Sequence, residues 1–186
     1  MYNVLRVVLL IMATFFLGNL CSGLVITSIL DAYIDITGLE RFLLIAMSIL
    51  AFIVGITRDI VLKILEHGIY ATCFILFLCQ SMIFVLIINQ DSFLVPELAI
   101  PMIMFCAIGS SLSAGVLVRA LLSFGKEYTF GGLCSGVISG LFNIGWFHFA
   151  IGGNPMKELA TVFIFCTFFL IVSITGLLRV QEKINQ

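Results

Sequence analysis

Residues 7–30 read VVLLIMATFFLGNLCSGLVITSIL, a run without one charged side chain. A bilayer core roughly 30 Å thick is crossed by about 20 consecutive apolar residues in a helix. This run is long enough, and five more follow it, at approximately 42–62, 69–89, 98–122, 130–153 and 158–180. Together they fill nearly all of the 186 residues; 62% of the chain is hydrophobic, 10% is charged and the mean hydropathy is +1.25. A water-soluble domain of this size could not hide so much apolar area, because much of any small fold faces solvent. The expected fold is all-α: a polytopic membrane protein with six transmembrane helices in a single domain, residues 1–186. A secretory signal has an apolar region of roughly 7–15 residues ending at a small-residue cleavage site. Residues 7–30 exceed that length and no such site closes them, so they read as a true membrane helix.

Short cytoplasmic loops retain Lys and Arg. With six spans, both termini and the second and fourth loops share one side, which holds Arg6, Arg58, Lys63, Arg119, Lys126, Arg179 and Lys183. The other side holds Arg41 and Lys157. Both termini are therefore expected in the cytoplasm, in a membrane the sequence does not specify. No basic run exceeds one residue and the net charge is −1, which argues against nucleic acid as a partner. The bilayer itself is the first partner, and a second copy or another membrane subunit the next.

Two pairs of fragments suggest an internal duplication. Ala71–Leu76 parallels Ala160–Phe165, and Gly18, Ser22 and Val25 parallel Gly109, Ser113 and Val116. Both matches are offset by about 90 residues, as a three-plus-three repeat requires; three helices per copy make the second copy inverted, an arrangement common in transporters. Shared apolar composition gives the same matches without duplication.

Polar groups within spans are the candidates for chemistry. Asn19, Gln80 and Asn143 fall near the middle of their helices, where they line a shared polar site or hold helices together. His148, beside Trp146 towards the outer end of the fifth span, is the ionisable group inside the membrane, a functional candidate by default. Its other reading is a residue snorkelling to the headgroups beside an aromatic-belt tryptophan. Gly132, Gly136 and Gly140 recur every four residues, a spacing that brings helix backbones close. They predict tight packing within the chain, or a seam between subunits.

Cys21, Cys73, Cys79, Cys106, Cys134 and Cys166 lie inside spans with no C-x-x-C, so they read as small apolar residues rather than a redox or zinc site. No catalytic residues, metal ligands or cofactor-binding motif emerge, and the chain is not expected to be an enzyme.

Between the second and third spans the chain reads Gly55-Ile56-Thr57-Arg58-Asp59-Ile60-Val61-Leu62-Lys63. This resembles the G-x-x-x-D-R-x-G-R-K motif of the major facilitator superfamily, keeping Gly55, Asp59 and Lys63, with Ile60 and Leu62 in place of an arginine and a glycine. The resemblance implies a loop that gates conformational change and a chain equivalent to one six-helix half of a twelve-helix transporter. A second likeness, from Cys21 and Cys106, one in each half of the expected repeat, is to the six-helix subunits of ion-linked redox pumps, which hold an iron–sulfur cluster between their halves.

The leading expectation is a small transport protein or half-transporter moving a small solute as an oligomer. Asn19, Gln80, Asn143 and His148 would then be its polar contacts. The alternative is a non-catalytic accessory subunit of a larger membrane complex, and the remote alternative a redox-pump subunit.

Overall fold

The computed structural model describes residues 1–29, 38–57, 68–88, 96–146 and 155–186, and among them no strand occurs. Six helices follow in order: α1 (Tyr2–Ile29), α2 (Gly38–Thr57), α3 (Ile69–Ile88), α4 (Pro96–Leu122), α5 (Lys126–Trp146) and α6 (Pro155–Asn185). Each coincides with one of the expected apolar runs. Four helices are long and apolar enough to cross a membrane, over Tyr2–Ser22, Gly38–Thr57, Pro101–Leu122 and Val162–Asn185. α3 stays apolar beyond Met82, through Ile83–Ile88. In α5 the glycines and serines of KEYTFGGLCSGVISGLFNIGW dilute the hydropathy. Beyond its apolar part, α6 continues through the polar Arg179–Asn185 turns, since extending a formed helix costs little. Lys183 in its last turn suits the negative helix end.

Four helices make a closed ring, α1 against α6, α6 against α3, α3 against α4 and α4 against α1. α5 packs along α1, the most extensive contact among the described residues, and α2 along α4. Smaller contacts join α1 to α2 and α4 to α5. Burial follows this plan: Pro101–Leu122 is 61% buried within the protein and Gly38–Thr57 only 18%, so α4 is central and α2 peripheral. The core collects Leu10, Leu17 and Leu20 of α1, Leu76 of α3, Leu117 of α4 and Leu170 of α6. The outer surface is also apolar; Phe105 is 75% and Ile138 68% exposed. Such a surface is untenable in water and suits a hydrocarbon solvent.

Helix directions can be read from the contacts. Along α1 and α6 the partners run in opposite senses. The Lys183 ammonium lies 5.7 Å from the Tyr2 ring centre, Arg6 Nη1 donates to Gln181 Oε1 at 3.4 Å, Leu9 meets Gly176, and Phe16 stacks on Phe169 at 5.1 Å. The two termini therefore share one end of the bundle. The α4–α5 hairpin lies at that end too, since Gly125 abuts Leu10. Thr129 fixes the hairpin, its hydroxyl lying at 2.7 Å from the Gly125 carbonyl and 3.1 Å from that of Leu121.

Candidate functional site

Membrane-buried hydroxyls can satisfy themselves on their own helix, and most of these do. Thr14 donates to the Leu10 carbonyl, Ser22 to Asn19, Thr72 to Gly68, Thr167 to Phe163 and Ser173 to Phe169. Asn19 follows the same pattern, its Nδ2 donating to the Phe15 carbonyl at 3.0 Å. Three residues do not. Ser48 Oγ and both ends of the Gln80 carboxamide are buried with no hydrogen-bond partner among the described residues, and Ser110 Oγ meets the thiol of Cys79. Leaving a polar group buried and unpaired costs about 1–3 kcal/mol, and more in hydrocarbon.

The buried face of α3 carries Thr72, Cys73, Leu76 and Gln80, at helical spacing. Gln80 is 4% exposed and Ser110, on α4, is fully buried. Cys79, next to Gln80 in the chain, places its thiol beside the side chains of Ser110 and Cys106. Gly109 makes this approach possible, because a methyl there would lie 3.0 Å from the Cys79 sulfur. The α3–α4 seam thus gathers a hydroxyl and two thiols, with Gln80 the next residue along α3.

The other candidates are distributed elsewhere. Asn19 sits in the α1–α5 seam, its Cα 3.3 Å from where a Gly140 methyl would stand. Asn143 is half-buried one turn beyond Gly140. Their seam is distinct from that of Gln80. His148 lies outside the described residues, as do Asp59 and Lys63. Gly55, first residue of the facilitator-like stretch, is within α2 and packs on α4.

Gly132, Gly136 and Gly140 all face α1, against Thr14, Gly18 and Ser22 in turn. Their contacts advance together along both helices, so α1 and α5 run parallel. This small-residue face is used up within the chain. At its centre, a methyl on Gly18 would lie 2.6 Å from the Leu133 carbonyl oxygen and 3.0 Å from both the Gly136 Cα and the Val137 nitrogen. A second crossing joins Gly55 of α2 to Gly115 of α4. There a methyl on Gly55 would meet the Leu112 carbonyl oxygen, and lie 3.1 Å from the Gly115 Cα and 3.0 Å from the Val116 nitrogen. The atoms correspond one for one: the carbonyl three residues before the facing glycine, its Cα, and the nitrogen just after it.

Sequence reasoning singled out Gln80 but not Ser110, and read Cys79 and Cys106 as small apolar residues. The spacing of Cys106, Gly109 and Ser110 signals one helix face; which helix covers it is not encoded locally. Among the described residues no group of three or more His, Cys, Asp or Glu side chains is placed to hold a metal. No family model matches the chain, and no curated protein or solved structure is significantly similar to it.

Proposed function

We propose that this is a small membrane transport protein, built from two inverted three-helix halves, that carries a small solute across the bilayer. The observation that carries the reading is the repeated glycine crossing. Exchanging α1 with α4, α2 with α5 and α3 with α6 turns the Gly18–Gly136 crossing into the Gly115–Gly55 crossing. The same exchange turns α1–α6 into α4–α3 and α1–α2 into α4–α5, and returns α1–α4 and α3–α6 to themselves. Every helix contact named above keeps a counterpart. Halves of three helices enter the membrane in opposite senses, so swapping their conformations converts an inward-facing state into an outward-facing one of similar energy. Close glycine contacts, held by dispersion rather than interlocking side chains, suit helices that must slide.

Both termini belong on the cytoplasmic side in this reading. It is supported by the shared end of α1 and α6, where Arg6, Arg119, Lys126, Arg179 and Lys183 occur near helix ends. Of the set Asn19, Gln80, Asn143 and His148, Gln80 leads as a solute contact in this reading, because it combines burial with unmet hydrogen-bonding capacity among the described residues.

The test is reconstitution into liposomes, with entry of glycerol, urea, rubidium and chloride followed by stopped-flow scattering or tracer uptake. At least one should enter saturably faster than into protein-free vesicles. Folded protein that accelerates none of them, and whose native mass places it in an assembly of unrelated chains, would make the accessory-subunit reading the better one.

A further inference from the structure

We propose that the α1–α6 seam, at the end of the bundle shared by the two termini, binds an anionic phospholipid whose phosphate Arg6 and Lys183 take. The proposal needs only that the chain spans a bilayer. It is independent of transport, and either can fail alone.

Two cations are held there without an opposing charge. Arg6 is half-buried, and its guanidinium, which carries five N–H donors, meets only the neutral Gln181, at 3.4 Å. That bond is longer than the usual N–H···O range, so it leaves the guanidinium poorly satisfied. The Lys183 ammonium lies 5.7 Å from the ring centre of Tyr2, which precedes Arg6 by one turn of α1. Among the described residues neither cation is paired with a carboxylate. Cations near the ends of membrane helices reach the headgroup level, where the bilayer supplies phosphate. Arg grips phosphate through parallel N–H donors, and Lys adds a point charge.

The rest of the seam argues for a lipid rather than a soluble anion. Deeper along it Leu9 meets Gly176 and Phe16 stacks on Phe169. Gly176 contributes no side chain; it, Leu9 and Phe16 are half-buried, and Phe169 is 38% exposed, so hydrocarbon reaches this strip. Arg6 to Phe16 covers about 15 Å of helix, the depth of one leaflet's hydrocarbon. A cationic head above an apolar strip of that length matches a phospholipid, whereas inorganic phosphate gains nothing from the strip. Charge selects the headgroup. Phosphatidylcholine brings its own cation to the two side chains, which repel it; phosphatidylglycerol brings only the phosphate charge.

Native mass spectrometry of the full chain, released from nanodiscs of equimolar phosphatidylglycerol and phosphatidylcholine with identical acyl chains, reads which lipid stays bound. The unaltered protein should retain phosphatidylglycerol several-fold over phosphatidylcholine. Arg6→Gln and Lys183→Gln should each lower that preference several-fold, and the double variant should abolish it. Lys126→Gln, at the same end but on α5, should leave it unchanged. Equal retention of the two lipids by the unaltered chain overturns the proposal, whether or not any variant folds. A loss in Lys126→Gln as large as in Arg6→Gln also overturns it, since diffuse surface charge would then suffice. Millimolar inorganic phosphate tests the source of the anion. Bound phosphatidylglycerol should persist; its displacement would mean that the seam takes a soluble anion and not a lipid.

Discussion

Glycine has three distinct environments in this protein, and they predict opposite effects for one substitution. A methyl at Gly136 would stand 3.0 Å from the Gly18 Cα and closer still to the Phe15 carbonyl oxygen; both are backbone and cannot rotate away. At Gly109 the nearest atom is a side-chain sulfur, which can shift. At Gly131 nothing lies within 4 Å. Gly131→Ala should therefore stabilise the helix by roughly 0.5–1 kcal/mol, through backbone entropy alone. Gly136→Ala and Gly55→Ala should each destabilise by about 1–3 kcal/mol, as overpacking does, despite the same entropic gain. Thermal unfolding in nanodiscs separates these outcomes; equal effects at Gly131 and Gly136 would refute the close crossing. The four-residue spacing of Gly132, Gly136 and Gly140 was legible in the sequence. The fact that Gly131, their immediate neighbour, faces open space follows from helical periodicity only once the partner's direction is known.

At the scale of helices, the two crossings behave as separate units. Gly18 and Gly136 face each other, so a methyl on either pushes α1 and α5 apart, and the second methyl then costs less. The double variant Gly18→Ala/Gly136→Ala should be less destabilised than the sum of its singles by about 0.5–3 kcal/mol. Gly55→Ala with Gly136→Ala acts on different crossings and should be additive within about 0.5 kcal/mol. A double-mutant cycle on unfolding midpoints decides this, and coupling of the second pair would mean the crossings are not independent. The structure also revises the register of the proposed halves. Matching residues by sequence equates Gly18 with Gly109, yet Gly109 faces Cys79 on α3, and it is Gly115 that meets a glycine across a crossing. Helices written in a few apolar residue types match one another in several registers, and a contact selects among them.

For the whole molecule, the antiparallel ladder from Tyr2–Lys183 through Arg6–Gln181 to Phe16–Phe169 closes the chain on itself. In a cysteine-free background, Arg6→Cys and Gln181→Cys should be joined within one chain by a short bismaleimide. The product should migrate faster on a denaturing gel, and in sealed inside-out vesicles an impermeant reagent should reach both positions. Cross-linking only between chains would mean that the α1–α6 contact is made by two copies. Reaction from the opposite face would reverse the orientation inferred from Arg and Lys placement.

By itself the sequence determined that the chain is helical, with apolar helices able to cross a membrane, and the approximate bounds of the six helices among the described residues. Hydrophobic length is a local property, summed over some twenty consecutive residues, and needs no knowledge of neighbours. It also marked Gln80 and the small-residue face of α5 as unusual. Only the tertiary structure decided that this face meets α1, that Gly55 belongs to a helix crossing, and that Gln80 remains unpaired while Asn19 is satisfied on its own helix. Those outcomes depend on which helix lies beside which. In a bilayer the lipid is as apolar as the helix surfaces, so hydropathy carries no information about neighbours and backbone fit decides them.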